Sequence, residues 1–169
     1  LEYFHGEITG RPPKIDLLLE SNVQSFLRYV ISKSIINSAH DVSEGGIAIA
    51  LSECCLNSGL GVSIDLPLNT QTRLDRLLFA EGGARVLISI SKEKVQKFIN
   101  SLNEFNNIEN INLPVTQIGI VHNDPHFLVK KGEINLIKVN ISNLKEVFDN
   151  AISRRMNRDN LSLNNKTDT

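Results

Sequence analysis

No stretch of this sequence approaches the ~18 to 20 consecutive apolar residues that a membrane-spanning helix needs, and no signal-peptide pattern opens it. Nor is there a dense Lys/Arg run, since 18 basic residues stand against 19 acidic ones. A nucleic-acid surface and a polybasic membrane patch are therefore not expected, and the predicted compartment is the cytoplasm. Cysteine is scarce as well. Cys54 and Cys55 are adjacent in a predicted helix, where neighbouring side chains diverge, so a strain-free mutual disulfide is not expected and neither is a zinc or redox site. Cys54 is expected in the core and Cys55 as a partly buried thiol. The single methionine is Met156, so the chain does not begin at an initiator methionine and reads as a processed chain or a piece of a longer one.

What is present is enough apolar residue, 41% over 169 positions, for one real core and too little length for two ordinary domains. The expected layout is a leading segment over 1–14, one domain over 15–155 and a polar tail over 156–169 that buries little. Pro12 and Pro13 favour extended backbone in the leading segment, where Arg11 and His5 read as surface residues.

Between these ends the hydrophobic pattern changes period repeatedly. Leu19, Val23, Phe26, Leu27, Val30 and Ile31 share one face of a helix predicted over Asp16–Ser34, with Glu20, Gln24, Arg28 and Lys33 on the other. A short strand over Ile35–Ala39 then delivers the chain to His40 and Asp41. The next helix carries Ile47, Ala50, Leu51 and Cys54 at helical spacing and ends with Gly59 as a left-handed cap. Strands follow at Gly61–Leu66 and Val86–Ile90, separated by turn chemistry at Pro67–Thr70 and a short helix over Arg73–Phe79. Lys92–Phe105 is a further amphipathic helix. Strands over Val115–Val121, Phe127–Lys130 and Ile134–Val139 precede a closing helix, Leu144–Ile152, with Val147, Phe148, Ala151 and Ile152 expected inward. The order is not a strict βαβ alternation and predicts an α+β fold, a mixed β-sheet packed by helices.

Two glycine turns carry the chemistry. The first, Asp41-Val42-Ser43-Glu44-Gly45-Gly46, feeds a helix whose free N–H groups and positive dipole end favour phosphate; a capped helix start without a ligand uses the same residues. The second is Glu81-Gly82-Gly83-Ala84-Arg85, where Arg85 suits an anion and Glu81 a cation or hydroxyl, or the two form a surface pair. His122 and His126 flank Asn123-Asp124-Pro125 without a third strong ligand, which favours a solvent-facing loop over a metal site.

The run Ser38-Ala39-His40-Asp41-Val42-Ser43-Glu44-Gly45-Gly46-Ile47-Ala48, with Gly10-Arg11-Pro12-Pro13 and Asp16 before it and Leu78-Phe79-Ala80-Glu81-Gly82-Gly83-Ala84-Arg85-Val86-Leu87 after it, resembles the C-terminal domain of the aminoimidazole ribonucleotide synthetase superfamily. Within that superfamily it looks like the last domain of the phosphoribosylformylglycinamidine synthase family. The resemblance implies an ATP-dependent ligase of purine biosynthesis that converts formylglycinamide ribonucleotide and glutamine-derived ammonia to the amidine. It implies Mg²⁺ and ATP or ADP as cofactors. The implied partners are an ATP-binding domain upstream in the same chain, a glutaminase and a small accessory subunit. It places Asp41 at a Mg²⁺ position, Ser43 at a nucleotide contact, and Glu44, Gly45 and Gly46 along the same phosphate pocket, with Glu81 and Arg85 in the second turn. Gly82 and Gly83 stand where the first half of the family protein has Ser-Gln, which favours an auxiliary, nucleotide-holding site. No catalytic residue is implied here, and the isolated domain is expected to be inactive. The alternatives are a structural or interface domain of the same assembly, and another ATP-binding member of thiamine monophosphate kinase or selenophosphate synthetase type.

Overall fold

A computed structural model describes residue 6, residues 14–66 and residues 72–156. The leading segment with His5, Arg11 and the two prolines, the turn at Pro67–Thr70 and the tail beyond Met156 lie outside the described residues. The elements, in chain order, are α1 (Leu17–Ser32), β1 (Ser38–Asp41), α2 (Gly46–Leu56), β2 (Gly61–Asp65), α3 (Leu74–Phe79), β3 (Val86–Ser89), a 3₁₀ turn (Lys92–Lys94), α4 (Val95–Glu109), β4 (Gly119–His122), β5 (His126–Lys131), β6 (Ile134–Asn140) and α5 (Ile141–Asp149). The fold is α+β with a mixed sheet. Two compact units share the chain, one formed by Leu1–Ala50 with Thr72–Thr116 and the other by Leu51–Gln71 with Gln117–Thr169.

In the first unit α1 begins where Asp16 accepts a hydrogen bond from the Leu19 N–H at 2.9 Å, satisfying one of the donors that a helix start leaves free. Its apolar face meets α4. Phe26 packs edge-on against Phe98, centroids 5.6 Å apart, and tilted against Phe105 at 5.2 Å. Val30, Ile35 and Leu113 complete the buried cluster. Ile31, expected on that face, is half exposed at its rim. Beside the cluster β1 and β3 form an antiparallel pair, with Asp41 opposite Val86 and Ser38 opposite Ser89. The strand expected over Ile35–Ala39 thus lies three residues later. Ile35 is only 1% exposed and is drawn into the helical core instead of the ladder.

The second unit holds a four-stranded sheet ordered β4-β2-β5-β6, with β2 parallel to β5 and antiparallel to β4. The parallel neighbours make the sheet mixed. Val62, Ile64, Phe127 and Val129 fill one face at the period of two that their spacing predicts. β4 starts only at Gly119, leaving Val115 exposed and outside the strand. The closing helix starts at Ile141, three residues early, because the Asn140 side chain caps it through the Ser142 N–H at 2.9 Å. It breaks at Asn150 before a helical turn over 151–156. Val147, Phe148 and Ile152, expected inward, are exposed, Ile152 at 76%. Periodicity identifies an apolar face without saying what covers it.

Candidate functional site

The two glycine turns meet in the first unit because β1 and β3 are paired. Asp41 ends β1 opposite Val86, and the ladder continues into the turns through the Val42 N–H, which donates to the Arg85 carbonyl at 3.0 Å. Val42 is buried, while Asp41, Ser43 and Glu44 are exposed. The Gly46 N–H closes the turn on the Ser43 carbonyl at 3.2 Å. Gly45 and Gly46 have φ of 77° and 69°, a left-handed pair that other residues adopt only with strain. Gly46 is also a point of close approach: a Cβ there would lie 2.7 Å from the Phe79 carbonyl carbon and 2.8 Å from the Leu78 oxygen. Backbone thus rests on backbone where α2 begins.

The second turn is fixed from within and from α1. The Arg85 guanidinium donates to the Ala80 carbonyl, which folds the segment between them. A side chain added at Gly83 would run into the Glu20 carboxylate. Glu81 reaches across to the first turn: its Oε1 accepts from the Gly45 N–H at 3.2 Å and so links one turn to the other.

Between these elements lies an open cleft of about 360 Å³, lined by Asp41, Val42, Gly82, Gly83 and Arg85 together with Glu20 and Gln24 of α1. The arrangement gathers two carboxylates, a guanidinium and a glycine-rich backbone around one space. Ser43, Glu44, Gly45 and Gly46 form the adjoining turn and do not line the cleft itself. Glu20 and Gln24 are the residues that sequence reasoning missed. Their spacing of four puts them on one helical face, and a polar face reads as solvated unless a second element is known to approach it.

α2 corrects one expectation. Cys55 is buried and Cys54 exposed, the reverse of the predicted pair. Ala48, Ala50, Cys55 and Leu56 are all buried, so α2 is apolar around most of its circumference and its periodicity does not choose between adjacent cysteines. Burial, with a smaller contribution from Cys54, pushes the Cys55 thiol up to about 11. Since the thiolate is the nucleophile, brief maleimide treatment of the native chain at neutral pH is expected to modify Cys54 first and Cys55 only on unfolding. Peptide mapping that finds both labelled at equal rates would contradict this placement.

The His122–His126 loop holds itself together. His122 Nε2 lies 2.8 Å from Ser63 Oγ and its Nδ1 2.9 Å from the Asp124 carbonyl. The hydrogen bond to His126, followed by the charges of that ring, His122 and Lys138, draws the Asp124 carboxyl below its ordinary range. Among the described residues no three His, Cys, Asp or Glu side chains converge on a metal position, and no helix is long and apolar enough to cross a membrane.

The mixed-sheet α+β architecture and the joined glycine turns together define a class of domain. Residues 1–131 match the family described as AIR synthase related protein, C-terminal domain, and the chain belongs to that family. It is 46% identical over 162 residues to the phosphoribosylformylglycinamidine synthase subunit PurL of Prochlorococcus marinus strain NATL1A, an alignment covering 94% of this chain and 20% of that protein. The corresponding subunit of strain MIT 9215 is 49% identical over 157 residues, covering 90% of this chain and 19% of the relative. The chain therefore spans about a fifth of the length of the curated relatives it matches. Among solved structures, phosphoribosylformylglycinamidine synthase II of Thermotoga maritima superposes with a TM-score of 0.66 at 18% identity, over 79% of this chain and 22% of that one. Thermotoga maritima PurL complexed with ATP gives 0.61 at 17% identity, over 73% and 21%. At such identity these two likenesses speak for the fold.

Proposed function

We propose that this chain is the C-terminal domain of an ATP-dependent carbon–nitrogen ligase of purine biosynthesis, a phosphoribosylformylglycinamidine synthase, and that it supplies one wall of a Mg²⁺–nucleotide site. The observation that carries the reading is the meeting of the two motif turns around the cleft that Asp41 and Arg85 line. In the reaction ATP activates the formamide oxygen of formylglycinamide ribonucleotide, ammonia displaces that oxygen, and the amidine results. Phosphoryl chemistry of this kind rests on positioning and on neutralising charge.

Asp41 is the Mg²⁺ ligand in this reading. The donor set suits that ion: Mg²⁺ keeps several waters and takes one or two carboxylates beside the phosphates, so a cleft with Asp41 and Glu20 is sufficient and a closed cage is not needed. When bound, the ion would neutralise phosphate charge. Ser43 contacts the nucleotide, and Glu44, Gly45 and Gly46 line the phosphate pocket, whose left-handed glycines let an anion approach the backbone. Glu81 and Arg85 complete the wall from the second turn. Gly82 and Gly83 leave that turn without hydroxyl or amide side chains, which supports an auxiliary, nucleotide-holding role over contact with the ribonucleotide. The remaining walls belong to an ATP-binding domain upstream in the longer protein. A glutaminase and a small accessory subunit are its further partners, in the cytoplasm; the solved structure of PurLQS from Thermotoga maritima supports an assembly of this kind.

A second reading, a domain that contributes interface and whose glycine turn only caps a helix, is favoured by the Glu81 carboxylate, which already satisfies the Gly45 N–H. One wall of a site binds weakly by itself. The 169-residue chain alone is therefore expected to show little affinity for Mg²⁺–ADP by calorimetry, and tight binding would overturn the division of the site between domains.

A further inference from the structure

The turn that opens α2 presents its Gly45 N–H to a side chain of this same chain, the Glu81 carboxylate, at 3.2 Å. One exposed hydrogen bond would not by itself fix Glu81 there, but the segment that carries it is held on both sides. Before it, the backbone at Leu78 and Phe79 lies against Gly46 so closely that no Cβ fits between. After it, the Arg85 carbonyl accepts from the Val42 N–H at 3.0 Å, and the Arg85 guanidinium returns to the Ala80 carbonyl. Glu81 is delivered to the turn by backbone contacts of its neighbours. At the start of a helix a carboxylate offers what a phosphate offers, negative charge and acceptor oxygens aimed at a free N–H.

We propose that Glu81 is a positioning residue: its carboxylate stands on the Gly45 N–H as an internal anion, orients the turn, and has to leave before an external phosphate takes that donor. The inference rests on the phosphate reading of the turn given above and refines the part Glu81 plays in it. A ligand contact at Glu81 would strengthen binding, whereas an internal anion competes with it.

The test compares ¹H–¹⁵N spectra of the 169-residue chain and its Glu81→Gln variant during titration with inorganic phosphate alone. Loss of the charged acceptor is expected to move the Gly45 amide upfield while amides outside the two turns stay in place. Phosphate, followed at the Gly45, Gly46 and Ile47 amides, is expected to bind the variant roughly two- to fivefold more tightly at low salt, with the difference closing as ionic strength rises. A merely structural role predicts the opposite, since a loosened turn binds more weakly. Equal or weaker phosphate binding by a folded variant, or an unmoved Gly45 amide, overturns the proposal. If phosphate, taken to concentrations at which the weak binding of a single wall would register, moves the turn amides in neither protein, the phosphate reading of the turn fails, while the upfield move of Gly45 still supports the internal contact.

Discussion

Replacing Gly46 with alanine is expected to destabilise the chain by about 2–4 kcal/mol, the sum of two separable penalties. One is conformational. At φ 69° an L side chain sits in the left-handed region, which costs roughly 1–2 kcal/mol. The other is steric, because the new methyl would lie 2.7–2.8 Å from the Leu78 and Phe79 backbone, and neither has a flexible end that can move aside. Gly59 provides the internal comparison. It has nearly the same φ, 68°, with nothing within 4 Å of its Cβ position, so Gly59→Ala carries only the first penalty. Thermal unfolding of both variants separates the effects, with the Gly46 variant expected to melt several degrees below the Gly59 variant. Equal melting temperatures would mean that the backbone contact between the first glycine turn and α3 contributes nothing.

That contact marks the boundary of what the sequence reveals. The helices α1 and α4 are legible because their apolar residues recur at three and four positions and each has a distinct polar face. The strands β2 and β5 are legible through alternation, and Gly59 through its place after α2, where its N–H reaches the Cys55 carbonyl at 3.2 Å. Where apolar residues serve another purpose, the reading slips. Ile35 looks like the start of a strand but fills the helical core, and Cys54 and Cys55 exchange places because α2 is buried on most sides.

The candidate site divides in the same way. Glycine pairs flanked by Asp41, Glu81 and Arg85 stand out because few backbones need two consecutive glycines. Their meeting is not local information, since it depends on the pairing of β1 with β3 across more than forty residues. Glu20 and Gln24 are further from view. A carboxylate and an amide four residues apart look like any solvated helix face until the second glycine turn is seen against them.

The second large effect concerns Asp41. This carboxylate is exposed at the end of β1 and lines the cleft, so its removal leaves no cavity and breaks no core contact. Stability is expected to change by no more than ~0.5 kcal/mol. Under the proposed function its contribution would appear when a divalent cation is shared between the protein and a nucleotide's phosphates, because the variant would deprive a hard cation of a charged oxygen ligand that water replaces poorly. With about 1.4 kcal/mol for each factor of ten, loss of that ligand in Asp41→Ala is expected to weaken Mg²⁺–ADP retention roughly tenfold or more. Asp41→Asn, which keeps an oxygen but not the charge, should fall between. Removing the cation with a chelator should bring all three proteins to the same low level, which ties the difference to the metal and not to the fold.

The most direct measurement is therefore the nucleotide content of the longer protein proposed above, this chain together with the ATP-binding domain that the proposal places upstream of it, purified in Mg²⁺ with Asp41 intact and with Asp41→Ala. The intact protein is expected to carry bound ADP, and the variant, with an unchanged melting temperature in the absence of nucleotide, to lose most of it. Equal nucleotide content in the two proteins would contradict the assignment of Asp41 and leave the paired glycine turns as a structural joint.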